Sequence, residues 1–462
     1  MKKHNLFKII SIMFLLVVVL TWIIPNGTYS NGVFVKGETS PAGIFDLSRI
    51  PFMTIANLLQ YGIIVVLIGG FYGILNKTGA YSNLVEKIVK KFKGKEKLFL
   101  IISISALAIL NSIIGLPYAF LIFVPFLIAI ILKLGFNKLV ALTTTIGAIL
   151  VGNVASIYGS DVALLINEYL YLSLNSEILT KIIFLIILTF LLVTFVLSIV
   201  KNTKLEKNEE IPLYEVNNKK RSIVPLIVIF LISFIFILIN MFDWNSVNVT
   251  YFTEKYQSLM SNTIVSNILG SMGTFGIWSV YDMCIFLVFV MLIIGWIYSV
   301  KFDDMIDGFV DGAKTVSKAA FYAIIANIIF VTLYRFQTNS NMFYTITDFI
   351  FNICGEFKVL GTILITFIGS FFYNNVSNLV SALSTPIQII ITDTTKYQLI
   401  GMIIESIHGV LMFIMPTSIL LVIGLSYLNI SYKDWFKHIW KFLCEILVIT
   451  FIIIFISSMF IA

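Results

Sequence analysis

Asn111-Ser112-Ile113-Ile114-Gly115-Leu116-Pro117 interrupts a long apolar run in the first half of the chain, and Gly152-Asn153-Val154-Ala155-Ser156 interrupts the next. The second half repeats this arrangement. One run breaks at Tyr373-Asn374-Asn375-Val376-Ser377-Asn378 and the following one at Met415-Pro416-Thr417-Ser418. Asn153 follows Asn111 by 42 positions, and Thr417 follows Asn375 by the same interval. Polar residues with Gly or Pro, at matched places in two pairs of membrane-length runs, are the pattern of a solute site at the bilayer midplane between two repeats.

The rest of the chain supplies the membrane that this reading needs. It has 462 residues, 59% hydrophobic and 12% charged, with mean hydropathy +1.00. A water-soluble domain cannot hide so much apolar surface, and a β-barrel would show short alternating segments rather than continuous runs such as 183–200 and 222–241. The expected fold is an all-α polytopic membrane protein. Spans are expected near 8–25, 51–75, 138–175 (broken), 179–200, 222–241, 276–300, 318–336, 397–428 (broken) and 442–461. Segments 98–133 and 358–391 are too interrupted for one clean crossing and read as re-entrant hairpins, tolerable at that depth only against protein or a water-filled cavity. The three cysteines lie far apart in apolar surroundings and read as core residues.

Lysine and arginine orient the spans. With a cytoplasmic N-terminus, 24 of the 31 fall on the inner side and seven outside, a positive-inside bias. The net charge of +7 is thereby topology, and no nucleic-acid partner is needed to explain it. The basic stretch 87–97 reads as a solvated cytoplasmic face, and Lys8–Ile24 as an uncleaved first span rather than a signal peptide. The expected layout is a first repeat over 1–200, a cytoplasmic linker 201–221, a connector helix 222–241 and a second repeat over 242–462. The repeats have inverted topology, each with a re-entrant hairpin and a broken helix. Trp244, Trp278, Trp435 and Trp440 fall near expected interfaces and read as belt anchors. The Asn/Lys/Ile bias looks bacterial, and a bacterial cytoplasmic (inner) membrane is the expected location.

Several stretches resemble the YfcC/DcuC-like family of anaerobic C4-dicarboxylate carriers and basic amino-acid antiporters, within the ion-transporter superfamily. They are Leu20-Thr21-Trp22-Ile23-Ile24-Pro25 with Gly27 and Tyr29; Gly69-Gly70-Phe71 through Lys77-Thr78-Gly79-Ala80; the basic run Lys90 to Lys97; Phe371-Phe372-Tyr373; and Pro416-Thr417-Ser418 followed by Tyr432-Lys433-Asp434-Trp435. The resemblance implies a homodimer and an elevator-like stroke. The first tip lacks the acidic pair that many members carry there, Ser406-Ile407-His408-Gly409 stands where they carry Phe-Gly-Asp-Gly, and the Asn-rich Asn374–Asn378 replaces a Ser-Gly-Ser-Gly-like second tip.

Breaks in membrane helices expose backbone N–H groups, which suit a carboxylate, and C=O groups, which suit Na⁺ when joined by side-chain oxygens. The candidate solute and ion ligands are Asn111, Ser112, Gly115, Asn153, Ser156, Asn374, Asn375, Ser377, Asn378, Thr417 and Ser418, with Thr143-Thr144-Thr145 nearby. An isolated Ser, Thr or Asn in a membrane helix usually bonds a neighbour or its own backbone; clustering at both tips favours a site. Glu405 and His408, three apart on one helix face, are candidates for proton coupling. Asp161 and Glu168 read as outer-surface groups, and Arg335 as a snorkelling cation, the single plausible intramembrane one. Metal-protease, phosphate-loop and nucleophile-elbow signatures are missing, so neither an enzyme nor a resident cofactor is expected. The expected function is secondary active transport, by alternating access, of a small carboxylate-bearing solute, an amino acid (basic ones included) or a C4-dicarboxylate. Na⁺, H⁺ or solute exchange would drive it. A passive channel or uniporter is the alternative.

Overall fold

Inside a bilayer every backbone N–H and C=O must be paired within the segment, so apolar runs of this length fold as helices. The computed structural model describes residues 5–157, 161–173, 177–202, 210–217, 219–334 and 340–460. Among these, eight helices are long and apolar enough to cross a membrane: Leu6–Ile23, Gln60–Thr78, Glu96–Ile114, Ile178–Lys201, Val224–Met241, Val280–Ile297, Phe302–Tyr334 and Tyr432–Phe460. Shorter apolar helices, including Val124–Lys133, Lys138–Val154, Met342–Cys354, Lys358–Phe372 and Val376–Ile390, fill the regions around the breaks.

The two halves run through the same order of elements. Each begins with a long helix, Asn5–Ile23 or Val280–Ile297. A two-piece helix follows, Asp46–Leu58 with Gln60–Thr78, or Phe302–Ile325 with Ile328–Tyr334. Then comes a helix of 13 residues, Ala80–Phe92 or Met342–Cys354. A helix, a non-helical tip and another helix come next, then an interrupted helix, then the long closing helix Ile178–Asn202 or Tyr432–Phe460.

Several elements differ from expectation. The span placed at 318–336 begins much earlier, at Phe302; its first turns carry Asp303, Asp304, Asp307 and Asp311, whose charge masks a helix that is apolar on one face only. It also breaks at Ala326-Asn327, where the Asn327 side chain donates to Ala323 O at 3.0 Å. Glu96–Ile114 is by itself long and apolar enough to cross a membrane, whereas both arms beside the second tip are 15-residue helices. A β-hairpin interrupts the helical chain: Gly27–Ser30 pairs antiparallel with Val33–Lys36 around Asn31 (φ 51°) and Gly32 (φ 77°), the Asn-Gly pair that a two-residue turn with both φ values positive demands. Two of the four tryptophans are no belt anchors. Trp435 is fully buried and Trp278 nearly so, the latter donating to Gly273 O at 2.9 Å.

The halves are joined where helices Gln60–Thr78 and Phe302–Ile325 cross glycine on glycine. A Cβ on Gly73 would lie 1.9 Å from Gly308 O, and one on Gly312 would lie 2.0 Å from Gly69 O. Paired Gly-x-x-x-Gly surfaces let two backbones meet with nothing between them, which is how helices gain dispersion contact where lipid offers no hydrophobic drive. The described part of the linker is laid down across both halves. Asn76 donates to Leu213 O at 3.3 Å and accepts from Glu215 N at 3.2 Å, Asn83 donates to Arg221 O at 3.0 Å, and Tyr427 donates to Pro212 O at 2.8 Å.

Candidate functional site

The first tip is fastened to the first interrupted helix. Glu96–Ile114 ends at Gly115, whose left-handed φ of 69° turns the chain toward Pro117 at the start of the next short helix. One turn back, Asn111 donates to Ile149 O and to Asn153 Oδ1, both at 2.8 Å. Ser112 takes over where helix Ala148–Val154 stops: its carbonyl accepts from Ile157 N at 2.8 Å, and its hydroxyl donates to Ala155 O. Gly152 makes this approach feasible, since a Cβ there would stand 2.8 Å from Ala108 O. The same helix passes through a π-helical turn at Thr143–Gly147. There the Thr143 and Thr145 hydroxyls bond the preceding turn, and Thr144 Oγ1 is buried without a hydrogen-bond partner.

The second tip follows different rules. Asn374 reaches sideways to the break in Phe302–Tyr334 and donates to Asn327 Oδ1 at 2.8 Å. Asn375 caps helix Val376–Ile390, accepting from Ser377 N at 3.0 Å. Tyr373 is fully buried, with its hydroxyl 3.1 Å from that of Tyr334. The matching interruption separates helices Tyr397–Leu411 and Ile419–Tyr427. Its freed carbonyls are taken by the closing helix: Trp435 Nε1 donates to Phe413 O at 2.8 Å, and the Tyr432 hydroxyl donates to Ile414 O. Two carbonyls at a membrane break thus find indole and phenol donors, a polar use that interface statistics for tryptophan do not anticipate.

Both tips and both interruptions meet on a cavity of about 350 Å³. Of the residues expected to form the site, Gly115, Asn153, Asn374, Asn375, Ser377, Ser418, Glu405 and His408 line it. Asn111, Ser112, Ser156 and Thr417 are buried behind that wall, and Asn378 lies on the exit side of the second tip, off the wall. Asn111 Oδ1 and Thr417 Oγ1 are buried with no hydrogen-bond partner. The facing wall comes from Gln60 and Tyr61, from Met241 at the end of the connector, and from Ser279, Val280 and Tyr281. The sequence reading missed this wall. Its residues sit at helix ends within otherwise regular spans and break no pattern.

Glu405 and His408 share a helix face as expected, yet they do not bond to each other. His408 Nδ1 lies 3.1 Å from Ser370 Oγ. Glu405, 2% exposed, forms an ion pair with Lys181 at 3.0 Å, and its other oxygen accepts from Ser156 N at the first interruption. Lys181 is one of the seven basic residues counted on the outer side by the positive-inside reading. It is buried instead, near the start of Ile178–Asn202, so Arg335 is not the one intramembrane cation to consider. Arg335 itself and the Asp161 side chain lie outside the described residues, and Glu168 is exposed, as expected of an outer-surface group. Gly409 lets the second interrupted helix press on the first, a Cβ there falling 2.8 Å from Val154 Cα. The cavity is therefore built from both halves at once.

A family model described as "C4-dicarboxylate anaerobic carrier" (DcuC) matches residues 4–459. An uncharacterized protein of Haemophilus influenzae is 26% identical over 110 residues, which cover 24% of this chain and 21% of that protein, so the match spans about a fifth of the relative's length. Among solved structures, the YdaH transporter of Alcanivorax borkumensis aligns over 99% of this chain and 98% of its own at 11% identity, with a TM-score of 0.44.

Proposed function

Because the chain belongs to the C4-dicarboxylate anaerobic carrier family, and is thereby a multi-pass membrane transport protein, we propose that it is a secondary active transporter of a small carboxylate-bearing solute, a C4-dicarboxylate or an amino acid, bound between the two tips. One observation carries this reading. A single cavity is lined together by Gly115, Asn153, Asn375 and Ser418, which come from the four interruptions of two different halves.

The donor chemistry fits. Helices Val376–Ile390 and Ile419–Tyr427 both start at the cavity, with Asn375 and Ser418 at their caps, and a helix start offers unpaired N–H groups and partial positive charge to a carboxylate. The unpartnered Asn111 Oδ1 and Thr417 Oγ1, buried beside residues that line the cavity, support a coupling cation such as Na⁺ held there. Alternating access follows if the tips and interrupted helices move past the wall formed by Gln60–Thr78, Val280–Ile297 and the connector. The re-entrant hairpins and inverted repeats belong to this proposal, and the shared element order supports them.

The test is uptake into proteoliposomes of labelled succinate, malate, neutral amino acids, arginine and ornithine. Each is run with a Na⁺ gradient, with a pH gradient and with unlabelled solute inside. Uptake of a carboxylate raised above equilibrium by a gradient or by preloading is expected. Flux that only equilibrates would make the protein a uniporter or channel. No flux from folded protein would remove the carboxylate reading.

A further inference from the structure

The cavity wall contains one carboxylate, Glu405, and no lysine or arginine among the described residues. A lone carboxylate at this depth would attract any small cation, since an uncompensated buried charge is strongly unfavourable. Glu405 is not alone. Lys181 Nζ sits 3.0 Å from Oε2 with both side chains buried, and Oε1 accepts from Ser156 N. Each carboxylate oxygen is therefore held by a donor from the first half. Lys181 does not line the cavity itself. It acts through Glu405.

We propose that Lys181 is a positioning residue that fixes the charge preference of the cavity. It holds Glu405 in a neutral pair, so that the wall presents no free carboxylate and a cationic solute finds no partner there. The solute class this selects is a small anion or zwitterion recognised through its carboxylate. The inference rests on the transport reading above and narrows it, excluding the basic amino acids that the sequence left open. Its physical content is reciprocal. Removing the ammonium exposes a carboxylate that cations can neutralise, and removing the carboxylate exposes an ammonium that anions can neutralise.

The experiment measures thermal stabilisation of the purified full-length protein in detergent by succinate and by ornithine, giving a half-saturating concentration for each. The proteins compared are the wild type, Lys181→Gln, Glu405→Gln and the double variant. The ornithine-to-succinate ratio of those concentrations should fall about tenfold in Lys181→Gln and rise about tenfold in Glu405→Gln, and in the double variant it should return near the wild-type value. Ratios within about twofold of wild type in both folded single variants would overturn the proposal, since a merely structural pair changes melting without changing charge preference. If neither single variant folds, the double variant decides: a wild-type ratio supports mutual compensation and a shifted ratio overturns it. Stabilisation of Lys181→Gln by ornithine, with the wild type indifferent to succinate, would uphold the charge preference set by Lys181 while removing the C4-dicarboxylate as the solute.

Discussion

Asn111 and Asn375 occupy matching places in the sequence and do different work. Asn111 ties the first tip to the interrupted helix through Ile149 O and Asn153, so Asn111→Ala leaves buried acceptors without a donor and should cost about 1–3 kcal/mol. Asn375 caps a helix start on the cavity, and Asn375→Ala should cost about 1 kcal/mol. Both substitutions should reduce uptake about tenfold in protein that remains folded in the membrane, because each displaces backbone donors at the solute position. Wild-type uptake from both variants would remove the two-tip site. The asparagines were legible because a polar amide inside an apolar run has to be explained. The Lys181–Glu405 pair was not, since its partners stand 224 positions apart and nothing local to Lys181 distinguishes it from an interfacial lysine. Tyr61 and Tyr281 were equally silent, being ordinary residues at ordinary helix ends.

At the scale of elements, the interrupted helices are stable because other elements complete their hydrogen bonding. The closing helix does this through Tyr432 and Trp435, which explains why a Tyr-x-x-Trp pattern accompanies a Pro-Thr-Ser break in this chain. Trp435→Phe keeps an aromatic side chain but loses the donor to Phe413 O and leaves a small void at a fully buried site. It should destabilise by about 1–3 kcal/mol, read as an earlier melting transition, while Trp440→Phe on the exposed side should change little. Gly115 has a different constraint. Its positive φ makes Gly115→Ala strained by about 1–2 kcal/mol, so the variant should melt earlier and carry solute more slowly, and unchanged melting would show that the tip can re-form. Break positions were readable from Asn, Gly, Pro and Ser, whereas the break at Asn327 was hidden because a single asparagine, with no Gly or Pro beside it, interrupts a run that stays apolar on both sides. The start at Phe302 was hidden by its four acidic residues.

At the scale of the whole molecule, the two halves are bound by glycine contacts, by the linker and by the cavity itself. Gly73→Ala places a methyl group against the Gly308 carbonyl and should cost about 1–3 kcal/mol as the helices part, visible as a lower melting temperature in detergent. The linker predicts a different readout. Lys219, Lys220 and Arg221 are exposed, yet their backbone is held by Asn83, and the segment before them by Asn76, so trypsin should cut there slowly. An Asn76→Ala, Asn83→Ala double variant should be cut several times faster, because proteolysis reads local opening. Equal rates would mean that the linker is released independently of those side chains. That the chain is helical and made largely of membrane-length apolar segments could be read from hydropathy, a local property, whereas their number could not, since nine spans were expected and eight helices among the described residues are long and apolar enough to cross. Which helix meets which could not, because glycine pairs are recognisable as a surface only once the two helices are known to face each other.

That glycine surface also sets an order of events during synthesis. Helix Gln60–Thr78 leaves the ribosome long before Phe302–Ile325 exists. Until then its bare notch at Gly69 and Gly73 faces lipid tails, which fit a smooth groove poorly. The nascent first half must therefore wait in the membrane with its seam open. The arrival of Phe302–Ile325 closes that seam, and Tyr397–Leu411, later still, supplies the Glu405 that gives Lys181 its counter-charge.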